Sequence, residues 1–455
     1  MNNEFLGKES VGKLLFKLSI PTVAAQLINM LYNLVDRIFI GKMENIGDLA
    51  LTGVGVCLPL IMIVSAFAAL ISSGGAPRAS IFMGKKDNQT AERIMGNCFL
   101  LQIIISVILT TILLIFNEKL LLLFGASENT IEYAVEYMNI YAIGTIFVQL
   151  TLGMNAYIAS QGFAKTAMFT VLIGAIINII LDPIFIYALD MGVTGAALAT
   201  IIAQASSCIF VVLFLFSKKS ILKLKITNFK LHYKIFLPCM ALGLAPFIMQ
   251  VSESIILVSF NTSLKTYGGD IAVGAMTILS SIMQFAMLPM QGVAQGSQPI
   301  ISYNYGAKNE RRVTQTFKLL LITCLTYSSL LYILIMGFPK LFVSMFTDKP
   351  ELIDFTVKMM RIYFGAIIIF GAQIACQMTF VSIGNAKSSI IVACVRKFVL
   401  LLPLIYIMPA IMNDKTVAVY TAEPIADFLA VTFTVILFIF QFRKTIKKLK
   451  EPSLT

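Results

Sequence analysis

Tryptophan is absent from this 455-residue chain, and histidine occurs once, at His232. A single imidazole excludes any His-based metal cluster or His-centred acid-base apparatus. The seven cysteines are scattered through apolar segments without close pairs in sequence, which excludes a disulfide framework or a zinc site and makes them small buried hydrophobes. Charge is scarce: 13% of residues are charged, against about 25% in soluble domains, while 58% are hydrophobic. No GxxxxGK[ST] run surrounds Gly84-Lys85 or Gly306-Ala307-Lys308, so these read as turns with interfacial cations, and nucleotide binding is set aside. The first apolar run is too long for a signal h-region and has no cleavage-type exit, so no removable signal peptide is expected.

What remains is a polytopic membrane protein with a mean hydropathy of +0.87. The apolar runs predict spanning helices over 14–40, 48–73, 93–116, 131–158, 165–187, 192–216, 235–261, 269–297, 312–337, 351–380, 388–410 and 418–442. Without tryptophan, interfacial anchoring falls to the 15 tyrosines and to Lys and Arg. Alternate loops hold 26 of the 35 basic residues, Arg396 and Lys397 included. By the positive-inside rule this places both termini in the cytoplasm, in the cytoplasmic (inner) membrane if the source is bacterial. The net charge of +12 is therefore a topology signal and does not imply nucleic acid.

The lysine-rich connector 217–234 divides two sets of six helices, 1–216 and 235–455 with its basic tail. The run from Pro77 to Asp87 superposes on that from Pro299 to Asn309 at a constant offset of 222, matching proline, serine, glycine and the second lysine; Gly74 likewise matches Gly296. Six spans per half make this a parallel repeat about the membrane normal, the architecture of transporters that rock about a central cavity.

Polar residues inside these helices stand out because they are expensive in hydrocarbon. Asn178 and Asp182 lie at i and i+4 on one face, with Pro183 directly after. By helical rise Asp36 lies about 33 Å along helix 1, Asp182 about 25 Å along helix 5 and Thr200 about 12 Å from the outer end of helix 6, all at overlapping depth. Arg37 points about 100° away from Asp36 and is expected at the outer interface. Asn178 and Thr200 also serve as plain interhelical hydrogen-bonding groups on this evidence. Glu253 on helix 7 and Asp427 on helix 12 are the corresponding acids of the second half, for coupling or for substrate. Asp354, Lys358 and Arg361 are read as an ion-paired rim. Gln284, Met287, Met290 and Gln291 on helix 8 are candidates for an adaptable substrate cavity, since thioethers fit many shapes.

Ile20-Pro21, the run Leu31 to Asp36, Asn178 with Asp182-Pro183, Gly195 to Thr200, and Gln298-Pro299-Ile300 followed by Asn304 to Ala307 together resemble the multidrug and toxic compound extrusion (MATE) transporters over nearly the whole chain. The resemblance implies an all-α fold of two six-helix bundles in a V. It also implies export of bulky, often cationic, small organic molecules across the lipid bilayer in exchange for H⁺ or Na⁺, with no other cofactor and the monomer as functional unit. In DinF-like members the amino-lobe site matches Asp36, Asn178, Asp182 and Thr200, which would also be the Na⁺ ligands. In NorM-like members Glu253 matches a helix 7 acid, but their helix 10 aspartate is replaced here by Gln373 and Gln377.

Two other readings stand beside an exporter of drugs. A flippase for a lipid-linked amphiphile would need a basic cavity, whereas the intramembrane charges read from the sequence are mainly acidic. A non-transporting sensor or scaffold has little use for paired intramembrane acids. An intramembrane enzyme lacks a catalytic histidine, a metal cluster or a nucleophile motif.

Overall fold

The computed structural model describes residues 4–43 and 46–450. Among these residues all regular structure is helical. A short α1 (Phe5–Lys8) precedes α2 (Val11–Gly41), α3 (Gly47–Gly84), α4 (Asn88–Leu123), α5 (Ile131–Ser160), α6 (Ala164–Pro183) and α7 (Gly192–Phe216). After the connector come α8 (Tyr233–Gly306), α9 (Glu310–Gly337), a short α10 (Pro339–Val343), α11 (Pro350–Tyr363), α12 (Ile367–Ser382), α13 (Ala386–Cys394), α14 (Leu402–Ile411) and α15 (Lys415–Lys450).

Ten of the helical stretches are long and apolar enough to cross a bilayer, and α11 with α12 supplies another span across a 52° bend. At 74 residues, α8 would run about 110 Å, far more than one bilayer needs. It breaks at Gly269, whose φ of 64° and ψ of −160° only glycine adopts readily, into two arms covering 233–268 and 270–306. Counting both arms gives the twelve spans that the apolar runs predict.

The repeat is visible in the backbone. Asp87 caps α4 by accepting from the Thr90 amide at 2.9 Å, and Asn309 caps α9 by accepting from the Arg312 amide at 3.2 Å. The preceding residues, Lys86 and Lys308, both adopt positive φ (63° and 55°), as do Gly162 and Gly384 (90° and 75°). Each of these pairs is 222 residues apart.

The halves pack through glycines at the end that carries the amino terminus. A Cβ on Gly74 would lie 1.8 Å from the Cys239 carbonyl oxygen, and one on Gly243 would lie 1.8 Å from that of Leu70. The counterpart contacts set Gly292 and Gly296 against the backbone of Val23 and Ser19. Thr22 adds a hydrogen bond to the Gly292 carbonyl at 2.7 Å. One buried core joins both halves here, from Leu6 through Cys239 to Tyr303. The other two cores each stay within one half, the first between Ile40 and Ile201 and the second between Ile256 and Phe442. Halves that share a core at one end and hold separate cores at the other form a V.

The chain ends reinforce the shared end. Arg312 donates from Nη2 to the carbonyls of Leu6 (3.0 Å) and Glu9 (2.7 Å), and Asn304 donates to Leu6 at 2.9 Å, so α1 docks on the second half. The connector is tied to the first half, where Gln161 Oε1 accepts from the amides of Ile221 and Leu222. Glu92 holds Lys225 at 2.6 Å.

Candidate functional site

In the first half, Asp36 on α2, Asn178 and Asp182 on α6 and Thr200 on α7 come together. Asn178 and Asp182 are buried, at 1% and 0% exposure, and Asp36 and Thr200 are half-buried. Asn178 Nδ2 donates to Asp182 Oδ1 at 3.1 Å and reaches Thr200 Oγ1 at 3.5 Å. The carboxyls of Asp36 and Asp182 face each other within hydrogen-bonding reach. Asp36 Oδ1, Asn178 Oδ1 and Asp182 Oδ2 are buried with no hydrogen-bond partner. All three are acceptors, so what completes them must donate a proton or carry positive charge: the site fits a shared proton or a small hard cation with oxygen ligands. Arg37 is exposed, as its 100° offset from Asp36 predicts.

The local sequence explains the placement. Pro183 has no amide hydrogen, and the helix after it loosens into a π turn over Ile184–Ala188. That turn brings the Tyr187 hydroxyl to the Phe39 carbonyl at 2.6 Å, fixing the end of α6 against α2 three residues beyond Asp36. The buried Tyr137 stands by Asp36 and Thr200. Neither tyrosine stood out in the sequence, because a tyrosine in an apolar run looks like an anchor. A cavity of about 40 Å³ adjoins the site, lined by Asn29, Tyr32, Asn178, Thr200 and Gln204 among others. It accommodates water and is far too small for a drug, whose pockets typically run from about 300 Å³.

The second half holds a different polar centre, and here the sequence reading needs correction. Arg396 and Lys397, counted above among the loop cations, lie in a π turn (Val395–Leu401) about 15 Å inside the span that begins at Ala386. Both are buried, at 7% and 3% exposure. Lys397 Nζ donates to Glu253 Oε1 at 2.7 Å, Arg396 Nε to Asp427 Oδ1 at 2.8 Å, and Arg396 Nη2 to Glu423 Oε1 at 3.3 Å. The guanidinium also lies 4.7 Å over the Phe370 ring. Glu253 and Asp427 thus belong to one cluster but are joined through cations. Deducting the pair leaves the basic asymmetry of the loops intact, but intramembrane charge is no longer mainly acidic. The predicted span 388–410 already contains both residues, and counting them with the loop cations is at odds with that span.

The helix 8 candidates separate. Met287 and Met290 are packed into the core of the second half, at 7% and 1% exposure, whereas Gln284 and Gln291 are exposed. Gln377 donates to Ser389 Oγ at 2.8 Å, while Gln373 Oε1 is buried without a partner. Asp354, Lys358 and Arg361 are exposed, and among the described residues no ion pair within 4 Å joins them, so the rim is not ion-paired. Cys98 on α4 and Cys239 on α8, far apart in sequence, are fully buried neighbours across the interface of the halves.

Comparison with known proteins fits this geometry. The chain is 23% identical over 428 residues to multidrug export protein MepA of Staphylococcus haemolyticus, covering 94% of both chains. It is 21% identical to that of Staphylococcus aureus strain N315, covering 90% of both. Among solved structures, an outward-facing multidrug resistance MATE family transporter of the MOP superfamily superposes with a TM-score of 0.91 at 24% identity over 99% of both chains. MATE in the bent conformation gives 0.93 at 23% identity, covering 99% of this chain and 100% of that one. These superpositions establish the all-α fold. The MatE family profile matches twice, over residues 21–184 and 244–407, one match in each repeat and together well over half the chain. The chain therefore belongs to the MatE family, the multidrug and toxic compound extrusion transporters.

Proposed function

We propose that the protein exports bulky, often cationic amphiphilic molecules from a bacterial cytoplasm, in exchange for H⁺ or Na⁺, through alternating access of its two halves. The observation that carries this reading is the pair of facing carboxyls at Asp36 and Asp182, with three buried acceptor oxygens that lack donors. Two carboxylates in contact cannot both stay ionised without a proton or a cation between them. Ion entry draws α2 towards α6 and releases the substrate; ion loss reopens the half. The names of the Staphylococcus relatives support drug export. The substrate would meet the exposed Glu253, Gln284 and Gln291, since an exposed carboxylate within a span belongs against water and not lipid. The monomer supplies all of these parts, and the basic loops keep both termini cytoplasmic.

Flipping of a lipid-linked amphiphile would call for free cavity cations, whereas Arg396 and Lys397 are engaged by carboxylates. In proteoliposomes with separate proton and sodium gradients, a cationic dye should be extruded by the wild type, and at least tenfold more slowly by Asp36→Asn and Asp182→Asn. Wild-type pumping by both variants would refute the coupling role, and indifference to either gradient would refute antiport.

A further inference from the structure

The internal repeat relates α2, α6 and α7 to the first arm of α8, the span 386–411 and α15. The site of the first half draws on the first three of these elements. The charged centre of the second half draws on their three counterparts: Glu253 from α8, Arg396 and Lys397 from the span 386–411, and Glu423 and Asp427 from α15. A common plan thus carries two different charge sets: two carboxyls that make no ion pair among the described residues in one half, and three carboxyls paired with two cations in the other.

The cations are not shared evenly. Lys397 is committed to Glu253 at 2.7 Å and Arg396 Nε to Asp427 at 2.8 Å, both normal lengths for charge-assisted hydrogen bonds. Among the described residues Glu423 receives only Arg396 Nη2, at 3.3 Å, although it is 5% exposed. Glu253 is exposed and its charge can be solvated, so the imbalance falls on the two buried carboxyls, Glu423 and Asp427, which share the single Arg396 guanidinium: with all three ionised they would hold one net negative charge, which burial strongly disfavours. A metal ion is a poor remedy, because the two cationic side chains already fill the place it would take and would repel it.

We infer that Glu423 is a second proton-binding residue, with its carboxyl neutral when the centre is balanced and ionised when a proton is handed to water. The groups that face it are Arg396 and Lys397 from the span 386–411, Asp427 from its own helix, Glu253 from α8 and Tyr363 from α11. Protonation adds H⁺ to a Glu423 carboxylate oxygen and breaks no covalent bond. The Arg396 to Glu423 contact then relaxes while the two shorter pairs remain. This inference is independent of whether Asp36 and Asp182 couple transport.

The test is infrared spectroscopy of the purified full-length protein, following the C=O stretch of protonated carboxyls through a pH titration without substrate. An Asp36→Asn, Asp182→Asn double variant removes the two carboxyls of the first-half site. In that background one protonated-carboxyl band should persist, titrate by one proton per protein, and disappear in Glu423→Gln. Glu423→Asp should keep the band at a shifted frequency and midpoint, which preserves the test should Glu423→Gln fail to fold. A band unchanged in Glu423→Gln, or the same frequency and midpoint in Glu423→Asp, would overturn the assignment.

Discussion

Gly84 lies against the backbone of Tyr303 so closely that a Cβ would stand 2.0 Å from the carbonyl oxygen, and Gly306 lies in the same way against Ile81, at 1.9 Å. These two contacts are one contact repeated, since Ile81 and Tyr303, like Gly84 and Gly306, are 222 residues apart. Closing this end therefore depends on two glycines whose neighbours are rigid backbone. Gly84→Val should cost about 1–3 kcal/mol of overpacking and lower the thermal midpoint of the detergent-solubilised protein. Gly12→Val, with nothing within 4 Å of its Cβ, is the control and should stay near the wild-type midpoint. Equal midpoints for the two would show that the Gly84 contact yields without cost.

Much of this was legible beforehand, and for a physical reason. Bilayer-spanning segments must satisfy their backbone internally, so apolar runs translate almost directly into helices. Asp36, Asn178, Asp182 and Thr200 were legible because depth along a helix follows from rise per residue, and their convergence needed only that α2, α6 and α7 be neighbours. Arg396 and Lys397 were misplaced because a cation near the start of a span looks like a loop cation until its partners are known. Those partners, Glu253 on α8 and Glu423 and Asp427 on α15, are non-local. The burial of Met287 and Met290 was not legible for a related reason: composition suggests softness but does not say which way a methionine faces.

Tyr187 offers a graded test of the first-half site. Its hydroxyl bond to the Phe39 carbonyl is a single neutral contact, worth about 1 kcal/mol. Tyr187→Phe should leave the protein folded and slow dye efflux by about fivefold, a milder loss than removal of either carboxyl. Rates matching those of Asp182→Asn would mean that the tyrosine does more than hold α6 to α2.

The facing thiols of Cys98 and Cys239 report on motion between the halves. Both are 0% exposed, so a short bifunctional thiol reagent or mild oxidation should join them only under turnover, when the interface between α4 and the first arm of α8 loosens. Rocking of the halves requires this interface to open, so the cross-linked protein should lose transport and regain it on reduction where a disulfide was formed. Cys98→Ser should be immune to the treatment. Undiminished efflux from fully cross-linked protein would show that the interface stays shut through the cycle.

The ion pair of Lys397 with Glu253 is lopsided, and its lopsidedness predicts an order of effects. The Lys397 side chain is 3% exposed and that of Glu253 is 57% exposed. Lys397→Met removes the buried member and leaves a carboxylate that water can reach, a change expected to cost under about 1 kcal/mol. Glu253→Gln leaves an ammonium buried without its counter-ion. Removing one partner of a fully buried pair costs about 3–5 kcal/mol, and the open side of this pair reduces that to roughly 2 kcal/mol. The double variant removes the stranded charge and should recover most of the loss, because an apolar replacement of a whole buried pair is often neutral. Thermal unfolding of the three proteins in one detergent gives the order directly: Glu253→Gln lowest, the double variant above it, and Lys397→Met nearest the wild type. A double variant less stable than Glu253→Gln would mean that Lys397 is held by the other carboxylates of the centre and not chiefly by Glu253.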